Sequence, residues 1–184
     1  MSSYWEEFIS LNDIGKKFHD ANIKNVMSKY PEKASIFESF LKNPFSLMLY
    51  GNAGRGKTYA TLAIIRALLK TRSFYDVRFQ KAKTIDDTIL EKSRNGENSS
   101  DYIRGLYNSN FLFIDDFGVD RANDRTSRDM YEIIDHRWAN ELPTIISTNL
   151  KPKEIGAFYG NRIESRLKEF KKLYFSGNDL RGIK

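Results

Sequence analysis

The hydrophobic rhythm of the chain changes near residue 44. Before that point apolar residues recur at helical spacing, with Phe37, Phe40 and Leu41 on one face and Pro31 and Pro44 as punctuation. Residues 1–43 therefore read as an amphipathic, mostly helical lead-in, continuous with a core over 44–184. From Ser46 onward short apolar runs alternate with longer periodic segments, as in an α/β sheet with crossover helices. The runs are SLMLY (Ser46 to Tyr50), VRF (Val77 to Phe79), FLFI (Phe111 to Ile114), TIIS (Thr144 to Ser147) and KLYF (Lys172 to Phe175), and they predict five strands. Lys57 to Lys70, with Ala60, Ala63, Ile64, Ala67 and Leu68, and Thr126 to Ala139, with Met130, Ile133, Ile134 and Trp138, predict helices that pack on the sheet. The first, third and fourth runs are apolar on both faces, as parallel strands covered by helices on each side require. VRFQK alternates and predicts an edge. The fold class expected is α/β, with a five-stranded, mainly parallel sheet flanked by helices on both faces.

Composition narrows the function more than the fold. At 184 residues the chain suits one domain. The absence of cysteine excludes a disulfide framework and thiolate metal sites, and His19 and His136, the two histidines, read as packing or surface residues. No apolar run approaches the roughly 20 residues of a membrane span, and MSSYWEEFIS lacks a basic start followed by an apolar block. A cytoplasmic location with no membrane partner is expected, and under it the acceptor-like Asn98 to Ser100 carries no meaning. A net charge of +6 suits a protein that meets phosphate backbones. The basic residues are spread along the chain, so charge alone leaves nucleic-acid binding open.

The candidate chemistry begins at GNAGRGKT, Gly51 to Thr58, which fits the G-x-x-x-x-G-K-[ST] phosphate-binding pattern between a strand and a helix. Glycines there let successive amide N–H groups converge on one set of phosphate oxygens, and the helix start adds its positive end. Gly51, Asn52, Ala53, Gly54, Arg55, Gly56, Lys57, Thr58 and the following Tyr59 are the candidate nucleotide-binding residues. Lys57 would reach the outer phosphates, and Thr58 would ligate Mg²⁺. NSNFLFIDDFG, Asn108 to Gly118, ends an apolar strand in two acids. Asp115 is placed to hold Mg²⁺ through its water shell, and Asp116 to polarise an attacking water. PTIISTNL, Pro143 to Leu150, puts Asn149 at the carboxyl end of another buried strand, within reach of a γ-phosphate or that water.

With these residues placed, the chain resembles the AAA+ ATPases of the DnaC/DnaI helicase-loader and IstB transposition-helper family, from about Ile14 to Arg181. IGKKFHDANIKN resembles the lead-in to the ATPase core, GNAGRGKT its Walker A, FLFIDDFG its Walker B and LPTIISTNL its sensor 1 strand. RDMYEIIDHRW resembles the helix between the last two, GNRIESRL the box VII segment and YFSGNDLRG the closing segment. The resemblance implies a P-loop NTPase with an AAA+ core and little or no lid domain. It implies ATP and Mg²⁺ as cofactors, and hydrolysis that is slow until DNA or a partner stimulates it. It makes Arg166 an arginine finger for the γ-phosphate of a neighbouring subunit, with Arg162 in support and Arg181 a weak sensor 2 match. On spacing alone the first two arginines read as partners of Glu164 or Glu169 on a solvated helix.

The partners implied are single-stranded DNA, a replicative helicase or a transposase, and further copies of the chain on ATP binding. Family loaders carry an additional N-terminal helicase-binding module, whereas only Met1 to Asp13 precede the lead-in here. The resemblance places DNA contacts between the second strand and Walker B, where Lys81, Lys83, Lys92, Arg94 and Arg104 would follow a backbone and Tyr102 or Tyr107 would stack on a base. The same tyrosines, with Ile103 and Leu106, also fit a buried helix face. Tyr4 to Phe8, YWEEF, reads as a frayed end or an aromatic anchor for a partner. A non-hydrolysing nucleotide-binding adaptor and a P-loop kinase are the rival readings. Paired acids with a following asparagine and arginine suit water as phosphoryl acceptor and weigh against the kinase.

Overall fold

The computed structural model describes residues 4–71, 76–118 and 124–180. All five apolar runs become strands: β1 (Leu47–Tyr50), β2 (Val77–Lys81), β3 (Phe111–Phe117), β4 (Thr144–Thr148) and β5 (Lys171–Tyr174). Every pairing is parallel, and the order is β2-β3-β4-β1-β5. The alternating VRFQK lies at one edge as expected. β5 forms the other, where Lys171 is exposed, the kind of charge that discourages strand addition.

The lead-in holds α1 (Tyr4–Leu11), α2 (Ile23–Lys29) and α3 (Ala34–Lys42), and α4 (Lys57–Thr71) follows β1. Strand pleating sends Leu47, Leu49, Phe111, Phe113, Ile145 and Leu173 into one core with these four helices. Met48, Leu112, Ile114 and Ile146 face the opposite core. That core is closed by α5 (Ala82–Arg94), α6 (Ser100–Asn108), α7 (Asp124–Ala139), α8 (Ile155–Tyr159) and α9 (Asn161–Leu167). Of the N-terminal aromatics, Trp5 and Phe8 turn inward while Tyr4 stays exposed. Trp5 and Phe8 are buried and stacked at 5.9 Å, the Trp5 indole N–H donates to His19 O at 2.9 Å, and the Arg66 guanidinium covers the Trp5 ring.

A fully buried Arg137 on α7 is the largest polar group in the second core. It donates to the carbonyls of Leu106, Tyr107, Ser109 and Pro143 and to the Thr144 hydroxyl, at 2.8 to 3.1 Å. Its charge thus caps the negative end of α6 and ties that end to the starts of β3 and β4. Burial lowers its pKa to about 9, partly offset by Asp76.

Between α5 and α7, burial pushes the Asp86 carboxyl up to about 6, a bond from Thr126 opposing the shift and the charges of Asp129 and Asp87 adding to it. The raised value means that ionised Asp86 costs stability above pH 6, a cost relieved as pH falls from about 6 to about 4, the unfolded aspartate range. Asp86→Asn is expected to stabilise the protein at pH 7.5 by about 1–2 kcal/mol, discounted for partial exposure. Urea unfolding of both proteins across pH 4 to 7.5 checks this, and the gap should close toward the acid end.

Candidate functional site

The strand order inserts β4 between β1 and β3, so the three segments singled out in the sequence end side by side. At the end of β3 the register slips. Ile114 lies opposite Ile146 and Phe117 opposite Thr148, so β3 carries one residue more than β4 across that step. The slip turns Phe117 to the same core as Leu112 and Ile114, where it stacks on Tyr159 at 4.1 Å. Asp116 sits on the bulge at a φ of 54°, a left-handed conformation that aspartate tolerates better than most residues, and its side chain is exposed.

Asp115, by contrast, is buried. The Thr58 hydroxyl at the start of α4 donates to its carboxylate at 3.0 Å, and Ser147 Oγ on β4 donates to Oδ1. Ser147 Oγ also accepts from the Asp116 N–H at 3.3 Å. One serine therefore spans both acids, a role invisible in the TIIS run because it depends on the bulge opposite. Burial raises the Asp115 pKa; the Ser147 bond lowers it and the Asp116 charge raises it further. A hydroxyl beside a carboxylate is a hard oxygen pair of the kind that holds Mg²⁺ with phosphate and water completing the shell, so these residues fit that ion.

Lys57 Nζ is buried at the mouth of the loop and donates to Gly51 O at 2.7 Å, Asn52 O at 2.9 Å and Asn149 Oδ1 at 2.8 Å. Residues 92 apart in the chain are thus bonded across the ends of β1 and β4. Gly51, at φ 137°, has the Phe175 carbonyl where a Cβ would project, 2.3 Å away. The cradle is closed from outside by the segment after β5, whose Leu180 N–H donates to Gly54 O at 2.8 Å. Arg55 Nη1 is buried with no hydrogen-bond partner, an orphaned donor in a loop that would otherwise serve an anion. Beside the loop a cavity of about 370 Å³ is lined by Lys29, Tyr30 and Glu32 from the lead-in and by Ser176, Gly177, Asn178 and Leu180. Tyr30 joins the two features, because its hydroxyl donates to Arg55 O at 2.7 Å. Tyr59 lies apart from the cluster, its hydroxyl against Asn25 and Asp20 O of the lead-in at 3.4 Å.

The two arginines of GNRIESRL lie on α9, away from this cluster. Arg166 Nε donates to Asp135 Oδ1 at 2.6 Å and its guanidinium lies 4.2 Å from the Trp138 ring centre, while Arg162 covers Tyr131 at 5.8 Å. The partners are on α7 rather than being Glu164 or Glu169. Arg181 lies outside the described residues. Among the cations proposed for DNA, Lys83 pairs with Asp87, Lys92 with Glu97 and Arg104 with Asp101. Tyr102 and Tyr107 pack against the second core, and Tyr107 lies 4.1 Å from the His136 ring. Their rings are used by the fold, which leaves Lys81 and Arg94 as the cations of that set with no ion pair among the described residues.

Residues 20–165 match the family of IstB-like ATP-binding proteins. The chain belongs to that family. That family is one of ATP-binding proteins. The chain is 27% identical over 133 residues to the "Uncharacterized protein YqaM" of Bacillus subtilis (strain 168), covering 68% of this chain and spanning only 41% of that relative's length. Among solved structures it resembles the DnaC helicase loader, with a TM-score of 0.76 at 21% identity, covering 88% of this chain and all of that one. It also resembles the replication initiator DnaA bound to AMPPCP and single-stranded DNA, with a TM-score of 0.70 at 18% identity, covering 80% of this chain and 47% of the other. These likenesses establish an AAA+ P-loop fold, as the motifs implied. No helix among the described residues is long and apolar enough to cross a membrane.

Proposed function

We propose that this IstB-like protein is an ATP-hydrolysing switch of the helicase-loader type, assembling on ATP binding and acting on single-stranded DNA and a replicative-helicase partner. The observation that carries the reading is the hydrogen-bonded junction of Lys57, Asn149, Thr58 and Asp115 across three strand ends. Lys57 grips the outer phosphates, and Thr58 directly and Asp115 through the water shell would hold Mg²⁺, which would supply charge neutralisation on the phosphate oxygens. Asp116 orients a water and accepts its proton as the oxygen attacks the γ-phosphorus and the bond to the ADP oxygen breaks, with Asn149 aligning phosphate and water. Arg166 completes the site of a neighbouring copy, with Arg162 in support. Residues 1–43 act with the core as one unit, Tyr30 lining the cavity beside the loop and bonding to Arg55 O within the loop.

The family match favours one second reading, a transposase helper with the same motor and a different client. Steady-state ATP hydrolysis, measured with and without single-stranded DNA, tests the shared core of both. Turnover that DNA stimulates is expected. Tight ATP binding with no turnover under either condition would leave the non-hydrolysing adaptor, and capture of purified helicase against purified transposase separates the two clients.

A further inference from the structure

The contact between α7 and α9 is built around the one guanidinium expected to leave its own subunit. Tyr131, Asp135 and Trp138 lie three and four residues apart, so they share a face of α7, and Arg162, Arg166 and Glu169 meet that face in the same order. Trp138 is itself fixed, because its indole N–H donates to Glu169 Oε2 at 2.8 Å. Arg166 is then held by three residues of α7. Asp135 accepts from Nε, the Trp138 ring lies against the guanidinium, and the Tyr131 hydroxyl is a further hydrogen-bond partner. The bond to Asp135 uses Nε alone, so the carboxylate does not occupy the fork of terminal amino groups that grips a pair of phosphate oxygens. The side chain remains partly accessible, at 29% of its full exposure.

We propose that Asp135 and Trp138 are positioning residues for Arg166, presetting its rotamer and edge so that the terminal amino groups meet the γ-phosphate bound by an adjoining copy. The inference rests on the reading of Arg166 as a trans-acting residue. Its physical content is entropic, since an arginine carries a large rotamer entropy that a docking event must otherwise remove. Neither residue reaches the nucleotide of its own subunit in this scheme. Their effect is on the neighbour's turnover.

The test measures ATP turnover, ATP affinity and ATP-analogue-induced self-association for wild type, Arg166→Ala, Asp135→Asn, Asp135→Glu and Trp138→Phe. Asp135→Asn is expected to lower kcat on the order of 10- to 100-fold, the scale of a catalytic group displaced by about an ångström, with KM for ATP nearly unchanged and association weakened. Asp135→Glu should recover part of the loss and Trp138→Phe should fall between. Mixing Asp135→Asn with Asp116→Asn subunits should restore turnover, because the latter donate an intact Arg166 to sites whose own Asp116 is present. If Arg166→Ala lowers turnover and association while Asp135→Asn matches wild type, the inference fails and the reading of the site stands. If Asp135→Asn is impaired but mixing restores nothing, Asp135 acts within its own fold and the inference is again overturned. Wild-type behaviour of Arg166→Ala in both turnover and association would remove the trans-acting reading and this inference together.

Discussion

Asp116→Asn is expected to lower ATP turnover by about 10²- to 10⁴-fold, the range of a lost general base, while ATP binding and the fold remain. The substitution is unusually clean here. Asp116 sits at φ 54°, and asparagine shares with aspartate the tolerance for that left-handed conformation, so the bulge is kept. Its backbone N–H keeps the bond to Ser147, and Asp115 keeps both Ser147 and Thr58. Only a negative, exposed carboxylate is removed. Pre-steady-state turnover alongside equilibrium binding of a fluorescent ATP analogue checks both halves. A variant that still turns over within a few fold of wild type would move the base elsewhere, and one that no longer binds ATP would make Asp116 part of the binding scaffold.

Alanine at the same position would answer less. It enters the left-handed region at a cost of roughly 1–2 kcal/mol and would strain the bulge that aims Asp115. The design of the experiment therefore comes from the backbone, which the sequence does not display. FLFIDDFG announces a buried strand ending in two acids, since four apolar residues followed by aspartates can hardly be anything else beside a phosphate loop. That one acid is buried and the other exposed follows from an extra residue between Ile114 and Phe117, a property of the pairing with β4.

Local pattern served well where local physics decides. Uninterrupted apolar runs became the central strands, and the alternating VRFQK became an edge. Strand order was not legible, because pairing joins residues far apart in the chain, and with it went the bond from Lys57 to Asn149. The aromatic residues were ambiguous for a different reason. A tyrosine offers the same ring to a nucleobase and to a hydrophobic core, and Tyr102 and Tyr107 sit at core spacing with Ile103 and Leu106. Trp5 and Phe8 likewise found their partner in their own chain. Lys83, Lys92 and Arg104 counted toward the basic charge although each has an acid three to five residues away. Pairs of this kind are exposed and weak, so they bias DNA binding without forbidding it.

Arg137→Met is expected to cost about 3–5 kcal/mol of stability, since methionine fills the volume of the side chain and satisfies none of its acceptors. In the sequence Arg137 looks like any charged residue on an amphipathic helix. Its burial becomes intelligible only when α6 ends against it, presenting Leu106 O and Tyr107 O together with Ser109 O and the Pro143 carbonyl of the next loop. These carbonyls converge on the guanidinium, and no other side chain has five donors in a fixed plane. Removing it leaves buried acceptors at the starts of both β3 and β4, the two strands whose far ends carry Asp115 and Asn149. At this chain length the loss corresponds to a melting point lower by roughly 6–20 °C. Arg137→Lys should recover only part, because an ammonium has three donors and no planar fork. The contacts lie at the opposite end of the strands from the candidate site, so below its melting transition the methionine variant should bind ATP as wild type does. Calorimetry with a parallel binding titration reads both quantities. A variant that melts within about 2 °C of wild type would mean that water reaches those carbonyls and that the buried charge adds nothing net to the fold.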